Sequence, residues 1–179
     1  EFQIIDTGYG LERFCWAAAG TPTIYDAIYP ESISWLKQLS NFELILTETK
    51  DLDLNLVLSE ISKLSGILNI DVGTDAEALY EILADRLNQK GYSIDIERLK
   101  KITAPLHAIY AIPDHLHALC NMLGDLLVPS NVKAGYLSRM MARKTLKLID
   151  ELGIKSSLSE LGAHHIEHHM NESNLLQTK

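Results

Sequence analysis

From Leu11 almost to the C-terminus, the apolar residues of this chain recur three and four apart, and glycine closes one stretch after another. Leu11, Phe14, Cys15 and Ala18 fall at i, i+3, i+4 and i+7, which puts them on one face of an α-helix. Gly20 and then Pro22 end that segment, as expected of helix C-terminal punctuation. The pattern continues as helices over Glu31 to Leu39, Asp53 to Ser65 closed by Gly66, Asp75 to Lys90 closed by Gly91, and Ile96 to Ile102. Thr74 with Glu77 three residues on reads as a capping box. Pro105 to Leu123 is a long apolar segment, and Ile112-Pro113 is expected to break it, because proline has no N–H to donate and disfavours helix just before it. Asp114 then reads as a cap of the next helix. The clearest helix spans about Val132 to Leu152, with Gly153 as its stop, and one more covers Ser156 to His169. Asn41 to Leu52 is compatible with strand or helix. The one short β-branched run is Gln3 to Asp6, followed by a Gly8-Tyr9-Gly10 turn. The expected fold class is therefore mostly α, with a short N-terminal strand-turn-helix.

At 179 residues and 46% hydrophobic, the chain has material for one sizeable core. No apolar run approaches the roughly 20 residues that span a bilayer. The two cysteines, Cys15 and Cys120, sit in apolar helical contexts and read as buried thiols of a reducing, cytoplasmic setting.

The net charge is −8, which alone argues against a polyanionic partner. Its distribution argues the reverse. Leu126 to Ile149 holds Lys133, Arg139, Arg143, Lys144 and Lys147 and no acid. Taking those five from the 16 basic residues leaves 11 against 24 acids, a net of −13 for the remainder. Arg139, Arg143 and Lys147 are spaced i, i+4, i+8 and line one helical face, with Leu137, Met141 and Leu148 expected opposite, toward a core. Asn131 and Lys133 stand at the helix start, where free N–H groups and the helix dipole suit phosphate oxygens. An amide both donates and accepts, as reading a base edge requires. The competing reading is a solvated basic face paired to acids elsewhere in the chain.

Two blocks are more specific than these patterns. The string DTGYGLERF, Asp6 to Phe14, resembles the third signature motif of class II aminoacyl-tRNA synthetases, and within them of the alanyl-tRNA synthetases. VPSNVKAGYLSRMMARK, Val128 to Lys144, is similar to the same family's Pro-Ser-Asn, Gly-Tyr and spaced basic residues, and IYAIPDHLHAL resembles the helix before it. LSGILNIDVG and APLHAIYAI resemble the archaeal-type branch. Together the resemblance covers about Ile4 to Leu152. It implies a piece cut from a longer enzyme, with residues 1–20 the remnant of the class II catalytic domain and 21–179 a helical tRNA-recognition domain. By resemblance, Asp6 holds the α-ammonium of alanine, Gly8 and Gly10 line the alanine and ATP pocket, and Arg13 binds ATP phosphate. Asn131 reads the G·U wobble pair of the tRNA(Ala) acceptor stem, and Lys133, Arg139 and Arg143 lie along that stem. ATP with Mg and alanine are expected of the full-length enzyme, and no cofactor of this piece alone, which is expected to be inactive. An RNA-binding module without catalysis is the alternative. Three positions depart from the family: His117 replaces an arginine, Leu126 a glycine and Pro113 an alanine.

HHIEHH, His164 to His169, contains two i, i+4 histidine pairs, the spacing at which two imidazoles can meet one ion. A third ligand is lacking, so no metal site is expected, and these histidines read as exposed polar positions.

Overall fold

A computed structural model describes residues 8–42, 47, 49–67 and 76–169. Among them there is no strand. The helices are α1 (Leu11–Ala19), α2 (Ile24–Ile28), α3 (Pro30–Leu39), α4 (Leu54–Ile67), α5 (Ala76–Gln89), α6 (Ile96–Gly124), α7 (Lys133–Glu151) and α8 (Leu158–His169). The expected strand Gln3 to Asp6 and the Thr74 cap lie outside the described residues, as do residues 43–46 and 48 of the ambiguous Asn41 to Leu52 stretch. The helix expected to stop at Gly66 runs on to Ile67.

The axis of the fold is α6, against which α3, α5, α7 and α8 all pack. Asp95 caps it, its side chain accepting from the Arg98 N–H at 2.7 Å. From there it continues unbroken for 29 residues, through both Pro105 and Pro113. This corrects the break expected at Ile112-Pro113, and it places Asp114 in mid-helix rather than at a cap. The energetics explain why. An interior proline costs a helix about 3 kcal/mol. Around Pro113, however, Ile109, Ile112 and Leu116 are all at most 3% exposed, and each contributes about 1.5–3 kcal/mol by burial. Ending the helix there would give up more packing than the missing hydrogen bond is worth.

Local chemistry fixes the smaller joints. Thr23 and Asp26 form a reciprocal capping box at α2, the Asp26 N–H donating to Thr23 Oγ1 at 3.2 Å. The Tyr110 hydroxyl of α6 donates to the same carboxylate at 3.2 Å. Between α4 and α5, the Glu60 carboxylate is 5% exposed and meets Lys63 at 3.1 Å, Lys90 at 2.7 Å and Arg86 at 3.7 Å. Hydrogen bonds from Lys90 and Lys63 hold its carboxyl below the usual glutamate range.

The histidines of α8 are not the exposed set expected. His165 is fully buried, His164 and His169 half-buried, and only His168 exposed. His165 Nε2 lies 3.3 Å from His117 Nδ1 of α6, and His169 Nε2 lies 2.9 Å from the Ser32 hydroxyl of α3. His164 stacks on Trp35 at 3.8 Å between ring centroids. An imidazole carries a large apolar ring, so four of them in one turn-and-a-half of helix can serve as packing as readily as leucines do. Burial, then the neighbouring His169, His117 and His164, drives the pKa of His165 down to about 3.

Helix α1 stands apart from this core. None of its residues is buried, and Leu11 and Phe14 are exposed. Cys15 is exposed and only Cys120 buried, so one of the two thiols expected inside is outside. Trp16 is half-buried and its indole N–H donates to the Thr21 carbonyl at 2.7 Å.

Candidate nucleic-acid interface

The cationic helix and the loop that leads into it form the most distinctive surface of the molecule. Helix α7 begins within a residue of the expected start and ends within one of the expected stop. Of the three residues expected to face the core, Leu148 packs against it and Met141 is half-buried, but Leu137 turns outward. Leu137 is 47% exposed, and the buried residues are Ser138, Thr145 and Ile149. Small hydroxyl residues let α7 lie close to α6. Each satisfies its own oxygen: Ser138 Oγ donates to the Leu127 carbonyl at 2.9 Å, and Thr145 Oγ1 to Met141 at 2.9 Å. A buried hydroxyl left unbonded would cost about 1–3 kcal/mol. Bonded in this way, it behaves as a small filler.

Rotating the buried stripe onto Ser138 and Thr145 leaves the cations outward. Lys133, Arg139, Arg143, Lys144 and Lys147 are all exposed, as is Asn131. Lys147 pairs with Glu151 at 3.5 Å. Among the described residues Lys133, Arg139, Arg143 and Lys144 have no acidic partner, so the competing reading of a row paired to acids holds for Lys147 alone. Tyr136, 56% exposed, and Val132, 66% exposed, lie on the same side of the first turns: Val132, Tyr136, Arg139 and Arg143 are spaced i, i+4, i+7, i+11.

The loop from Asp125 to Val132 is held tightly. Leu126 is in the left-handed region, with φ 62°, and so is Lys133, with φ 52°. The former is one of the three family departures, and the conformation accounts for a glycine there, since only glycine enters this region without steric cost. The Ser130 N–H donates to the Gly135 carbonyl at 2.9 Å, and Ser130 Oγ to the Val132 carbonyl at 3.0 Å. Val132, the cap residue, makes no side-chain bond to the helix start. Asn131 projects from this frame, and among the described residues nothing bonds its amide.

At the other expected site, Gly8 is exposed and Gly10 precedes α1, its carbonyl accepting from the Arg13 N–H at 3.0 Å. Arg13 is exposed and, among the described residues, has no acidic partner. Asp6 lies outside the described residues. The helix is thus as the spacing predicts, whereas residues 8–10 lead into it as irregular chain without a regular turn. Among the described residues no group of three or more His, Cys, Asp or Glu is arranged to hold a metal ion, and no helix is long and apolar enough to cross a membrane.

Sequence reasoning gave Ser138 no role, and Gly135 entered only as part of the Gly-Tyr motif. Their spacing offered a signal: a glycine and a serine three apart, one helical turn, which lets another segment approach the helix closely.

Comparison with known proteins adds an independent line. Residues 1–178 match the family of tRNA synthetases class II (A). The chain is 46% identical over 158 residues to the alanine–tRNA ligase of Halorubrum lacusprofundi, covering 88% of this chain and 16% of that protein. It is 43% identical over 159 residues to the alanine–tRNA ligase of Methanosphaera stadtmanae, with 89% and 16% covered. Against that of Methanococcus aeolicus it is 41% identical over 165 residues, with 92% and 17% covered. The chain thus spans about a sixth of the length of these archaeal relatives.

Proposed function

Since the chain belongs to the class II (A) tRNA synthetases, we propose that it supplies the acceptor-stem recognition part of an enzyme that joins alanine to tRNA(Ala) with ATP. The observation that carries this reading is the exposed, acid-free set Asn131, Lys133, Arg139 and Arg143 on one helix and its leading loop. In it the amide of Asn131 reads the G·U pair, while Lys133, Arg139 and Arg143 contact the phosphates beside it. Wobble and 2′-hydroxyl groups lie in the shallow groove of an A-form stem, where side chains can reach them.

Residues 1–20 contribute the edge of the catalytic site and 21–179 the recognition domain. Of the residues assigned to ATP, Arg13 fits the ligand best: an exposed guanidinium that pairs with no carboxylate among the described residues matches phosphate in charge and in its forked geometry. Asp6 receives the α-ammonium of alanine, and Gly8 and Gly10 leave the backbone open beside it. ATP, with its Mg, supplies the activation of the alanine carboxylate. The rest of that pocket belongs to the full-length enzyme, so this chain alone does not activate alanine. The setting is the cytoplasm, with translation.

The test is titration of the chain with acceptor-stem hairpins carrying G·U or G·C at the wobble position, at 50 and 200 mM salt. Three phosphate contacts predict affinity falling roughly 40-fold across that range. Asn131→Ala is expected to lower the preference for G·U by about tenfold, within the 1–3 kcal/mol typical of a bidentate base contact. An equal loss on both stems excludes Asn131 as the reader. Flat salt dependence excludes the phosphate contacts, and with them an RNA-binding module of any kind.

A further inference from the structure

We propose that Ser130, Gly135 and Ser138 form a clamp that fixes the angle at which Asn131 meets its target, and so set the specificity of the recognition helix rather than its affinity. The inference rests on the reading of Asn131 given above. The Asn131 amide is exposed and unbonded among the described residues, whereas the backbone on both sides of it is tied.

Each tie has a defined donor and acceptor. The Ser130 N–H reaches across to the Gly135 carbonyl at 2.9 Å, closing the chain around Asn131. Ser130 Oγ donates to the Val132 carbonyl at 3.0 Å, fixing the residue on the far side. Ser138, with no exposed surface, donates to the Leu127 carbonyl at 2.9 Å and so pins the start of the loop to α7. Glycine at 135 is what allows the loop to lie so close. A Cβ there would stand 2.5 Å from the Val128 carbonyl oxygen and 2.3 Å from Ser130 Oγ. No other residue fits without moving the loop. A short amide side chain distinguishes base pairs only if its donor and acceptor arrive in register with theirs. Ordering the backbone beforehand removes the conformational freedom that binding would otherwise have to freeze. Affinity drawn from Lys133, Arg139 and Arg143 tolerates a loose loop, because phosphate attraction is long-ranged and weakly directional.

The experiment compares wild type, Asn131→Ala, Ser130→Ala and Ser130→Thr on G·U and G·C acceptor-stem hairpins, with a thermal melt for each variant. Ser130→Ala is expected to cut the G·U over G·C preference about fivefold with an unchanged salt slope, and Ser130→Thr, which keeps the hydroxyl, to restore it. Ser138→Ala, the second variant, is expected to act in the same direction. If wild type shows no preference, or Asn131→Ala keeps it, the reading of Asn131 fails. If those two behave as expected but Ser130→Ala retains full preference, the clamp is wrong. So is it if Ser130→Ala weakens both stems equally, or if Ser130→Thr fails to rescue.

Discussion

Replacing Gly135 by alanine puts the packing of the loop against α7 to a test with an unambiguous sign. Alanine in place of a helical glycine ordinarily stabilises by about 1 kcal/mol. At position 135 the added methyl would meet the Val128 carbonyl oxygen at 2.5 Å and Ser130 Oγ at 2.3 Å, with Ser130 Cβ at 3.0 Å. The hydroxyl can rotate away; the carbonyl is backbone and can only be displaced with the loop. Overpacking of this kind costs about 1–3 kcal/mol, and losing the Ser130 to Gly135 hydrogen bond about 1 kcal/mol more. Set against the helix gain, the net is a loss of about 2 kcal/mol. For a chain of this length that is a fall in Tm of about 4–8 °C. Gly162 in α8 is the control. A Cβ there finds only Cys120 Sγ at 3.9 Å, an ordinary contact, so Gly162→Ala should follow the propensity rule and gain about 0.5–1 kcal/mol. The assay is thermal or urea unfolding of both variants by circular dichroism. If Gly135→Ala melts at or above wild type, the loop does not lie against α7 as described, and the clamp loses its basis.

Further outcomes follow from other sites. Glu60→Ala should cost about 1–3 kcal/mol in urea unfolding, because the carboxylate is buried beneath Lys90, Lys63 and Arg86; Lys63→Ala should cost no more than about 0.5 kcal/mol, since two partners remain and Lys63 is 56% exposed. The lowered pKa of His165, about 3 in the fold, means that the unfolded chain binds more protons between there and the ordinary 6.5. Stability is therefore full above pH 6.5 and lost as pH falls, by about 2 kcal/mol from pH 6.5 to 5. His164 and His169 shift the same way through burial, and His165→Leu should flatten the slope in melts across that range. Leu126→Gly should gain about 0.5–1 kcal/mol: it relieves a left-handed residue, worth about 1–2 kcal/mol, against glycine's entropy of about 0.5–1 kcal/mol, and Leu126 is 72% exposed and so gives up little packing.

Helix positions and the cationic row were legible in the sequence because both depend on local spacing. Leu11–Ala19 and Lys133–Glu151 fall where periodicity and glycine stops put them. The errors all arose where tertiary packing overrides local preference. Pro113 is carried through a helix because the residues flanking it are core. Leu137 was assigned inward on hydrophobicity, whereas close approach of α7 to α6 selects Ser138 and Thr145. The histidines of α8 looked like a polar surface, and their partners Ser32, Trp35 and His117 are distant in sequence. Cys15 resembled core only because its neighbours are apolar, and among the described residues α1 buries none of its side chains. For the candidate interface, Asn131 and the arginines could be named from residue type and motif. The bonds that hold Asn131 in place could not, since they run through backbone carbonyls that no residue pattern encodes.

The uneven seating of α7 has a mechanical consequence. Its far end is rooted by Ile149, Leu152 and Ile154, each at most 6% exposed, while in the half that carries Tyr136, Leu137 and Arg139 the one buried residue is Ser138, with Gly135, Met140, Met141 and Ala142 half-buried. Such a helix is anchored by apolar burial at one end and by the loop at the other. The loop joins that end to α6, its Leu127 N–H donating to the Met122 carbonyl at 2.9 Å and its Leu127 carbonyl accepting from Ser138 Oγ at 2.9 Å, so the end that presents Asn131 is braced from two helices by hydrogen bonds rather than by deep side-chain burial.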